Sequence, residues 1–334
     1  MKLGLGIGAL GAPGGERVVK VAQEAESLGY DTIWCPEIYG ADCFTPLTWI
    51  GAHTERINLG TSIMQISART PTSAAMQAAT LDYLSNGRLI LGIGVSGPQV
   101  VEGWYGQPYP KPLARTREWI QIFRKVVARD GPVAFDGEHY KLPLPGGTGL
   151  GKPLKLILHP AREHIPLYLG AEGPKNVLLG VENCDGWIPM FLSPYRMMDQ
   201  YSEAMSRRAP GFEIAASVPV IIDDDVDRAL MQIKQNVGFY VGGMGAKSFN
   251  VHKDHVSRMG FGEVADRIQD LFLSGQRDQA IALVPDELCD EISLVGPKER
   301  IRERLEAWKE SPVTMINVGS GDAETLQFMA EELL

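Results

Sequence analysis

The chain has 334 residues, 44% of them hydrophobic, enough to bury one large core, and undivided α/β barrels routinely reach this length. Lysine and arginine total 32 against 41 acidic residues, a net charge of −9, and no basic block stands ready to grip a phosphate backbone, which argues against a nucleic-acid partner. No run approaches the roughly 20 apolar residues of a membrane span, and the four cysteines, Cys35, Cys43, Cys184 and Cys289, include no Cys-x-x-Cys pair, fitting neither a zinc site nor a dense disulfide framework.

The opening apolar stretch, Leu3–Leu10, is short and broken by glycine, unlike a secretory leader. Within it Leu3-Gly4-Leu5-Gly6-Ile7-Gly8 reads as a first strand whose backbone lies close to a neighbour or ligand. Val18, Val19, Ala22, Ala25 and Leu28 then recur at helical spacing, and Gly29 stops the helix. Thr32–Cys35 is a second strand, Leu47–His53 a helix, Ile57–Met64 a third strand, Thr72–Leu84 its helix and Arg88–Gly94 a fourth strand. Such βα units imply a parallel sheet, open or closed.

A longer interruption, Val95–Pro112, carries Trp104, Tyr105 and Tyr109 among glycines and prolines, as a substrate cover would. The helix Leu113–Ala128, a hairpin at Phe135–Tyr140 and a mobile tether at Pro143–Gly151 follow. The alternation then resumes with strand Ile165–Gly170, helix Lys175–Glu182, strand Gly186–Met190 and helix Tyr195–Arg208. Strand Ile214–Ile222, helix Val226–Phe239, a helix-rich insertion Gly242–Leu294, helix Pro297–Lys309 and strand Val313–Val318 complete the order. About eight strands favour a single-domain (β/α)8 TIM barrel with insertions after strands 4 and 7 over an open sheet. The expectation is a reduced cytoplasmic enzyme acting on a small-molecule substrate, with neither nucleic acid nor membrane as a partner.

Four stretches, read in order, resemble the F420-dependent oxidoreductase branch of the luciferase-like monooxygenase superfamily. They are Ile33-Trp34-Cys35-Pro36-Glu37, Leu59-Gly60-Thr61-Ser62-Ile63-Met64, Gly87-Arg88-Leu89-Ile90-Leu91-Gly92-Ile93-Gly94-Val95-Ser96-Gly97-Pro98-Gln99 and Pro166-Leu167-Tyr168-Leu169-Gly170-Ala171-Glu172-Gly173-Pro174-Lys175-Asn176. With Ala114-Arg115-Thr116-Arg117-Glu118 and Asp136-Gly137-Glu138-His139-Tyr140 they are similar to an actinobacterial subgroup of that branch. The resemblance implies coenzyme F420 as the cofactor, with FMN as the alternative that the same scaffold holds, and a homodimer. The apolar residues around the second and third helices fit a two-fold interface.

The implied site lies at the C-terminal ends of the strands, the face of a parallel barrel free to vary. The resemblance places a non-prolyl cis peptide at Ser62–Ile63, behind the central ring of the deazaflavin, with Thr61 and Met64 flanking it. Gly173, Pro174 and Lys175 open a helix whose N–H groups and dipole suit the coenzyme phosphate, and the resemblance counts Ala171, Glu172 and Ser96 as further cofactor-binding positions. Glycine and proline also punctuate helix starts without any ligand. Glu172 is an awkward neighbour for phosphate, expected to point away or to pair with Lys175. Glu37 aligns with an acidic residue that approaches the polar face of the ring; its alternative is to pair with an arginine at the barrel mouth. Gln65 and Gln99 occupy positions that offer hydrogen bonds to the ring or the ribityl chain.

Two departures bear on direction. The F420-dependent sugar-phosphate dehydrogenases of the family carry a histidine and a glutamate where this chain has Ile38 and Gly97. Without that base and acid, the resemblance points to reduction of an activated C=C, C=N or C=O bond by F420H2 rather than to oxidation of an alcohol. The proton would come from Tyr39, Tyr105 or water, or the tyrosines serve only as lid residues. Two other functions remain open: an FMN-dependent monooxygenase supplied by a partner flavin reductase, and a non-catalytic F420-binding protein. His252-x-x-His255 reads as a solvated helix rather than a metal site, and His139 as a structural cap. Gly92 and Gly94 lack the last glycine of a dinucleotide fingerprint, and no hydrolase or phosphate-loop motif is present.

Overall fold

The computed structural model describes residues 1–8, 15–37, 39–319 and 321–334, so Ile38 and the end of the Leu3–Leu10 stretch lie outside the described residues. Eight parallel strands form the barrel: β1 (Lys2–Gly6), β2 (Thr32–Cys35), β3 (Asn58–Thr61), β4 (Leu89–Gly94), β5 (Leu167–Gly170), β6 (Gly186–Ile188), β7 (Glu213–Val218) and β8 (Met315–Val318). The ring closes at both seams. Lys2 of β1 lies opposite Met315 of β8, and Leu59 of β3 lies opposite Leu89 of β4. The outer layer holds α1 (Glu16–Ser27), α2 (Phe44–Gly51), α3 (Pro71–Leu84), α4 (Pro112–Ala128), α5 (Pro174–Asn183), α6 (Met197–Arg207), α7 (Val226–Gly243) and, after β8, α8 (Ala323–Leu333). Among the described residues no helix is long and apolar enough to cross a membrane.

Local chemistry explains these boundaries. Thr70 caps α3 by accepting the Ser73 N–H, with Pro71 in the first turn, and Asp225 caps α7 by accepting the Arg228 N–H. The barrel interior is filled by Trp34, Ile90, Tyr168, Ile188, Ala215 and Met315. The glycines of β1 and β3 serve this filling, since a Cβ at Gly4 or Gly60 would overlap the Trp34 indole. A second apolar cluster, which includes Leu230, Val237, Val256, Met259, Ile268 and Leu288, lies within α7 and the following insertion.

Three departures from the sequence reading have physical reasons. The predicted strand Ile214–Ile222 divides at Pro219, which offers no N–H to a ladder; the barrel keeps Glu213–Val218, and Val220–Ile222 pairs in parallel with Leu294–Gly296. The predicted strand Ile57–Met64 ends at Thr61, and Met64–Gln65 pairs instead with the end of β4. The terminal helix α8 was not anticipated, although Asp322 caps it by accepting the Thr325 N–H and Leu326 and Met329 are fully buried.

Candidate functional site

The C-terminal strand ends surround one cavity of about 1140 Å³. Twelve of the sequence-predicted residues line it: Glu37 and Tyr39 after β2, Ser62, Ile63 and Gln65 after β3, Ser96 and Gln99 after β4, and Ala171, Glu172, Gly173, Pro174 and Lys175 after β5. Thr61, Met64 and Tyr105 are not on its wall. Thr61 is buried behind the wall and donates its hydroxyl proton to the Gly92 carbonyl at 2.6 Å. Met64 is buried in the core. Tyr105 is half-buried; burial first, then the Glu37 charge, raises its phenol above the ordinary value.

The floor is built after β3. The peptide bond between Ser62 and Ile63 is cis, where the resemblance places it. The Ile63 side chain rests in the space left by two glycines: a Cβ at Gly94 would lie 2.6 Å from Ile63 Cδ1, and one at Gly170 2.8 Å from Cγ2. Beside it, Glu37 holds Arg69 through two bonds of 2.6 and 2.7 Å and accepts the Gln65 N–H at 3.0 Å. The Gln65 amide donates to the Glu37 carbonyl at 2.8 Å. Glu37 thus has the mouth arginine as partner, with both carboxylate oxygens engaged. Burial opposes the Arg69 charge, yet the Glu37 hydrogen bonds and charge hold its guanidinium above the ordinary value. Gln65 Oε1 remains buried without a partner. Sequence reasoning missed Arg69, which sits in a loop with no distinguishing pattern around it.

The far wall is the start of α5. Gly173 caps this helix in an extended conformation, Pro174 takes its first position, and a Cβ built on Gly173 would meet nothing within 4 Å. Asn176 Oδ1 is buried there without a partner, while Lys175 is exposed at the edge. Glu172 does not pair with Lys175. Its Oε1 lies 2.7 Å from His252 Nδ1, its Oε2 is buried and unpartnered, and its carbonyl accepts from the Tyr201 hydroxyl at 2.7 Å and from Arg258 at 3.1 Å. Burial pushes the Glu172 carboxyl up, but the charges of His252, His255 and Arg258 and the His252 hydrogen bond outweigh it and hold the group below the usual carboxylate range.

The insertion after β7 supplies the third wall, with Met244, Phe249 and His252 joining Tyr240 of α7. The helix Val251–Val256 is not solvated, contrary to expectation. His255 is 1% exposed, with Nδ1 3.2 Å from the Tyr201 hydroxyl and Nε2 3.1 Å from the Phe191 carbonyl. Burial pushes this imidazole below its ordinary value. Among the described residues no cluster of three or more His, Cys, Asp or Glu is placed to hold a metal ion. His139 does not cap the hairpin either; the Glu118 carboxylate accepts the backbone N–H groups of Glu138, His139 and Tyr140. Aromatic rings meet at the mouth, Tyr39 with Trp104 at 6.4 Å and Tyr109 with Phe249 at 5.9 Å. Tyr39 itself is 51% exposed, its hydroxyl 4.0 Å from Met244 Sδ. No cysteine lines the cavity, and burial pushes the nearby Cys35 thiol up to about 12, away from nucleophilic use.

The profile of the luciferase-like monooxygenase family matches residues 5–315. A Mycobacterium tuberculosis protein provisionally named a coenzyme F420-dependent oxidoreductase is 50% identical over a 341-residue alignment that covers 99% of this chain and 98% of that protein. A 5,10-methylenetetrahydromethanopterin reductase of Archaeoglobus fulgidus is 27% identical, with 93% of this chain and 92% of that one covered. Among solved structures, a coenzyme F420-dependent tetrahydromethanopterin reductase from Methanopyrus kandleri superposes with a TM-score of 0.78 at 24% identity, covering 99% of this chain and 97% of that one. At that identity the likeness bears on the fold alone.

Proposed function

We propose, from the premise that this chain belongs to the luciferase-like monooxygenase family, that it is an F420-dependent oxidoreductase using F420H2 to reduce an activated C=C, C=N or C=O bond of a small organic substrate. The observation that carries this reading is one cavity with the Ser62–Ile63 floor, the α5 start and three lining residues that hold an orphaned acceptor, Gln65 Oε1, Asn176 Oδ1 and Glu172 Oε2. Buried acceptors need donors, and the ring N–H and ribityl hydroxyls of a deazaflavin coenzyme are donors. The N–H groups opening α5 at Gly173 suit its phosphate, and Ser96, Gln99 and Lys175 lie on the same wall. The reduced coenzyme supplies hydride; the protein's part is to bind, orient and exclude water. Tyr39, Trp104, Tyr109 and Phe249 do the last at the mouth.

Lys175 is the one lysine or arginine among the described lining residues, and it stands at the α5 start beside the coenzyme phosphate, which leaves no second such cation for a sugar phosphate and favours a neutral substrate. Gly97 offers no carboxylate for alcohol oxidation. Titrating the protein with F420 and with FMN by fluorescence quenching tests the coenzyme, and anaerobic F420H2 oxidation by enones, imines and nitro compounds tests the reaction. Tight FMN binding without F420 binding overturns the reading, as does F420 reduction by glucose 6-phosphate with no unsaturated acceptor turned over. The proposal includes a homodimer in the cytoplasm, supported by half-exposed or more exposed Trp49, Met76, Tyr83 and Leu84 on α2 and α3; a concentration-independent monomer mass by light scattering overturns the dimer.

A further inference from the structure

The Glu172–His252 pair stands on the cavity wall; the resemblance counts Glu172 among the coenzyme positions, but the coenzyme reading leaves the imidazole that its carboxylate holds without a role. The Glu172 carboxyl is buried and held below the usual carboxylate range, hence ionised, and an ionised carboxylate only accepts hydrogen bonds. The ring nitrogen that faces it, His252 Nδ1, must therefore carry a hydrogen, and the proton that comes and goes resides on Nε2. Nε2 makes no hydrogen bond to another described residue. The ring is held on further sides: Tyr240 stands edge-on at 4.8 Å and Phe191 at 6.3 Å. Its backbone is held as well. Asn250 Oδ1 accepts the N–H groups of His252 and Lys253, and the Asn250 amide donates to the carbonyls of Tyr240 and Val241 on α7. A carboxylate that fixes the tautomer of an imidazole, with that imidazole locked on a packed element beside a cavity, is the arrangement that proton transfer requires.

We infer that His252 is the proton donor of the reduction and that Glu172 is its positioning residue; this rests on the F420H2-reductase reading above. The substrate double bond gains a hydride from the reduced coenzyme, which becomes oxidised F420 and releases its remaining proton to water. The π electrons of that bond move to its other atom or the conjugated oxygen, which takes H⁺ from Nε2. The imidazole is left neutral, Nδ1–H still on Glu172, and regains a proton from solvent. The charged and titratable groups around it are Glu172 after β5, Lys253 and His255 on its own helix, Arg258 in the following turn, Tyr240 on α7 and Tyr39 after β2, with Lys253 already paired to Asp266 at 3.0 Å.

The test compares wild type, Glu172→Gln, His252→Gln, the double variant and Tyr39→Phe. Nitrogen NMR of histidine-labelled protein without coenzyme reads the tautomer, fluorescence quenching reads the F420 Kd, and turnover is followed against pH. The expected results are an Nδ1–H tautomer with Nε2 titrating in wild type, and loss of that preference in Glu172→Gln. His252→Gln should lower kcat roughly a hundredfold or more, abolish the fall in kcat as pH rises through deprotonation of the donor, and leave the F420 Kd within about threefold. The double variant, in which no buried carboxylate loses its partner, should melt near wild type and turn over as slowly. An Nε2–H tautomer in wild type, an unchanged kcat in His252→Gln, a loss of F420 affinity matching its loss of kcat/KM, or loss of the alkaline limb in Tyr39→Phe instead would each overturn the inference. A wild type that fails to bind F420 overturns both readings, whereas one that oxidises F420H2 as fast as His252→Gln overturns only this one.

Discussion

The two sides of the cavity are made by different means. The side formed after β2 to β5 is largely backbone: a cis peptide, a helix start and glycines that let Ile63 settle against the strand ends, with the buried Glu37–Arg69 pair behind. The side formed by α7 and the insertion presents long side chains, Tyr240, Met244, Phe249 and His252, above an apolar cluster of its own. The first side can change little, because each part is defined by a strand end. The second can exchange side chains while its packing stands, so under the proposed reading it is where substrate choice and proton delivery would be adjusted.

The largest effect expected concerns the first side. Arg69→Met leaves Glu37, whose side chain is 4% exposed, without its cation, and removing one partner of a buried pair costs about 3–5 kcal/mol. Urea unfolding should show that loss and a partial recovery in Glu37→Gln/Arg69→Met; an unaltered midpoint for the single variant means that this wall tolerates more than the geometry says. Next comes Gly94→Ala. Its methyl would press on Ile63 Cδ1 at 2.6 Å, and overpacking of this kind costs about 1–3 kcal/mol, read by the same unfolding curve.

Gly173→Val separates binding from folding, since a Cβ there meets nothing within 4 Å. Its melting temperature should match wild type while the F420 Kd rises about tenfold, equal to about 1.4 kcal/mol; an unchanged Kd in the folded variant removes the phosphate from the α5 start. The smallest effect belongs to the insertion side. His255 is buried with its folded value held below the ordinary 6.5, so the unfolded chain takes up the proton first as the medium acidifies. Its contribution to stability is complete above about 6.5 and declines as pH falls toward the lower folded value. Glu172, also depressed, adds its loss only below the ordinary 4.5. Melting between about pH 8 and pH 5 should fall by a few degrees, and His255→Gln should flatten that slope; equal slopes would place the acid sensitivity elsewhere.

These contrasts also explain what was readable in the amino-acid order. The strand-end wall is written in short local motifs, Thr61-Ser62-Ile63 and Gly173-Pro174-Lys175, because backbone shape is set by the residues that adopt it. The barrel was readable from the repeat of βα units. Arg69 and His252 were not, since each gains its role from a partner distant in the chain, Glu37 at 32 residues and Glu172 at 80 residues. The His252-x-x-His255 spacing was visible, but its surroundings were not: whether an exposed-looking polar helix is solvated depends on what packs over it, and here α6 and the β5 loop do. The break at Pro219 was available in principle, as the one residue in Ile214–Ile222 that cannot donate to a ladder.

The short pairing of Val220–Ile222 with Leu294–Gly296 has a consequence for descent. The chain leaves the barrel and comes back toward it through two short parallel strands lying side by side, so what lies between is an excursion whose ends, at Ile222 and Leu294, are one three-residue ladder apart, with much of its own core. Such a segment can be lengthened, shortened or traded between relatives without moving the ends of β2 to β5, since the ladder fixes its two ends a short distance apart and the closure entropy grows only slowly with the length enclosed. Transplanting residues 223–293 from one homologue into another's barrel should therefore carry substrate preference with it and leave coenzyme preference behind.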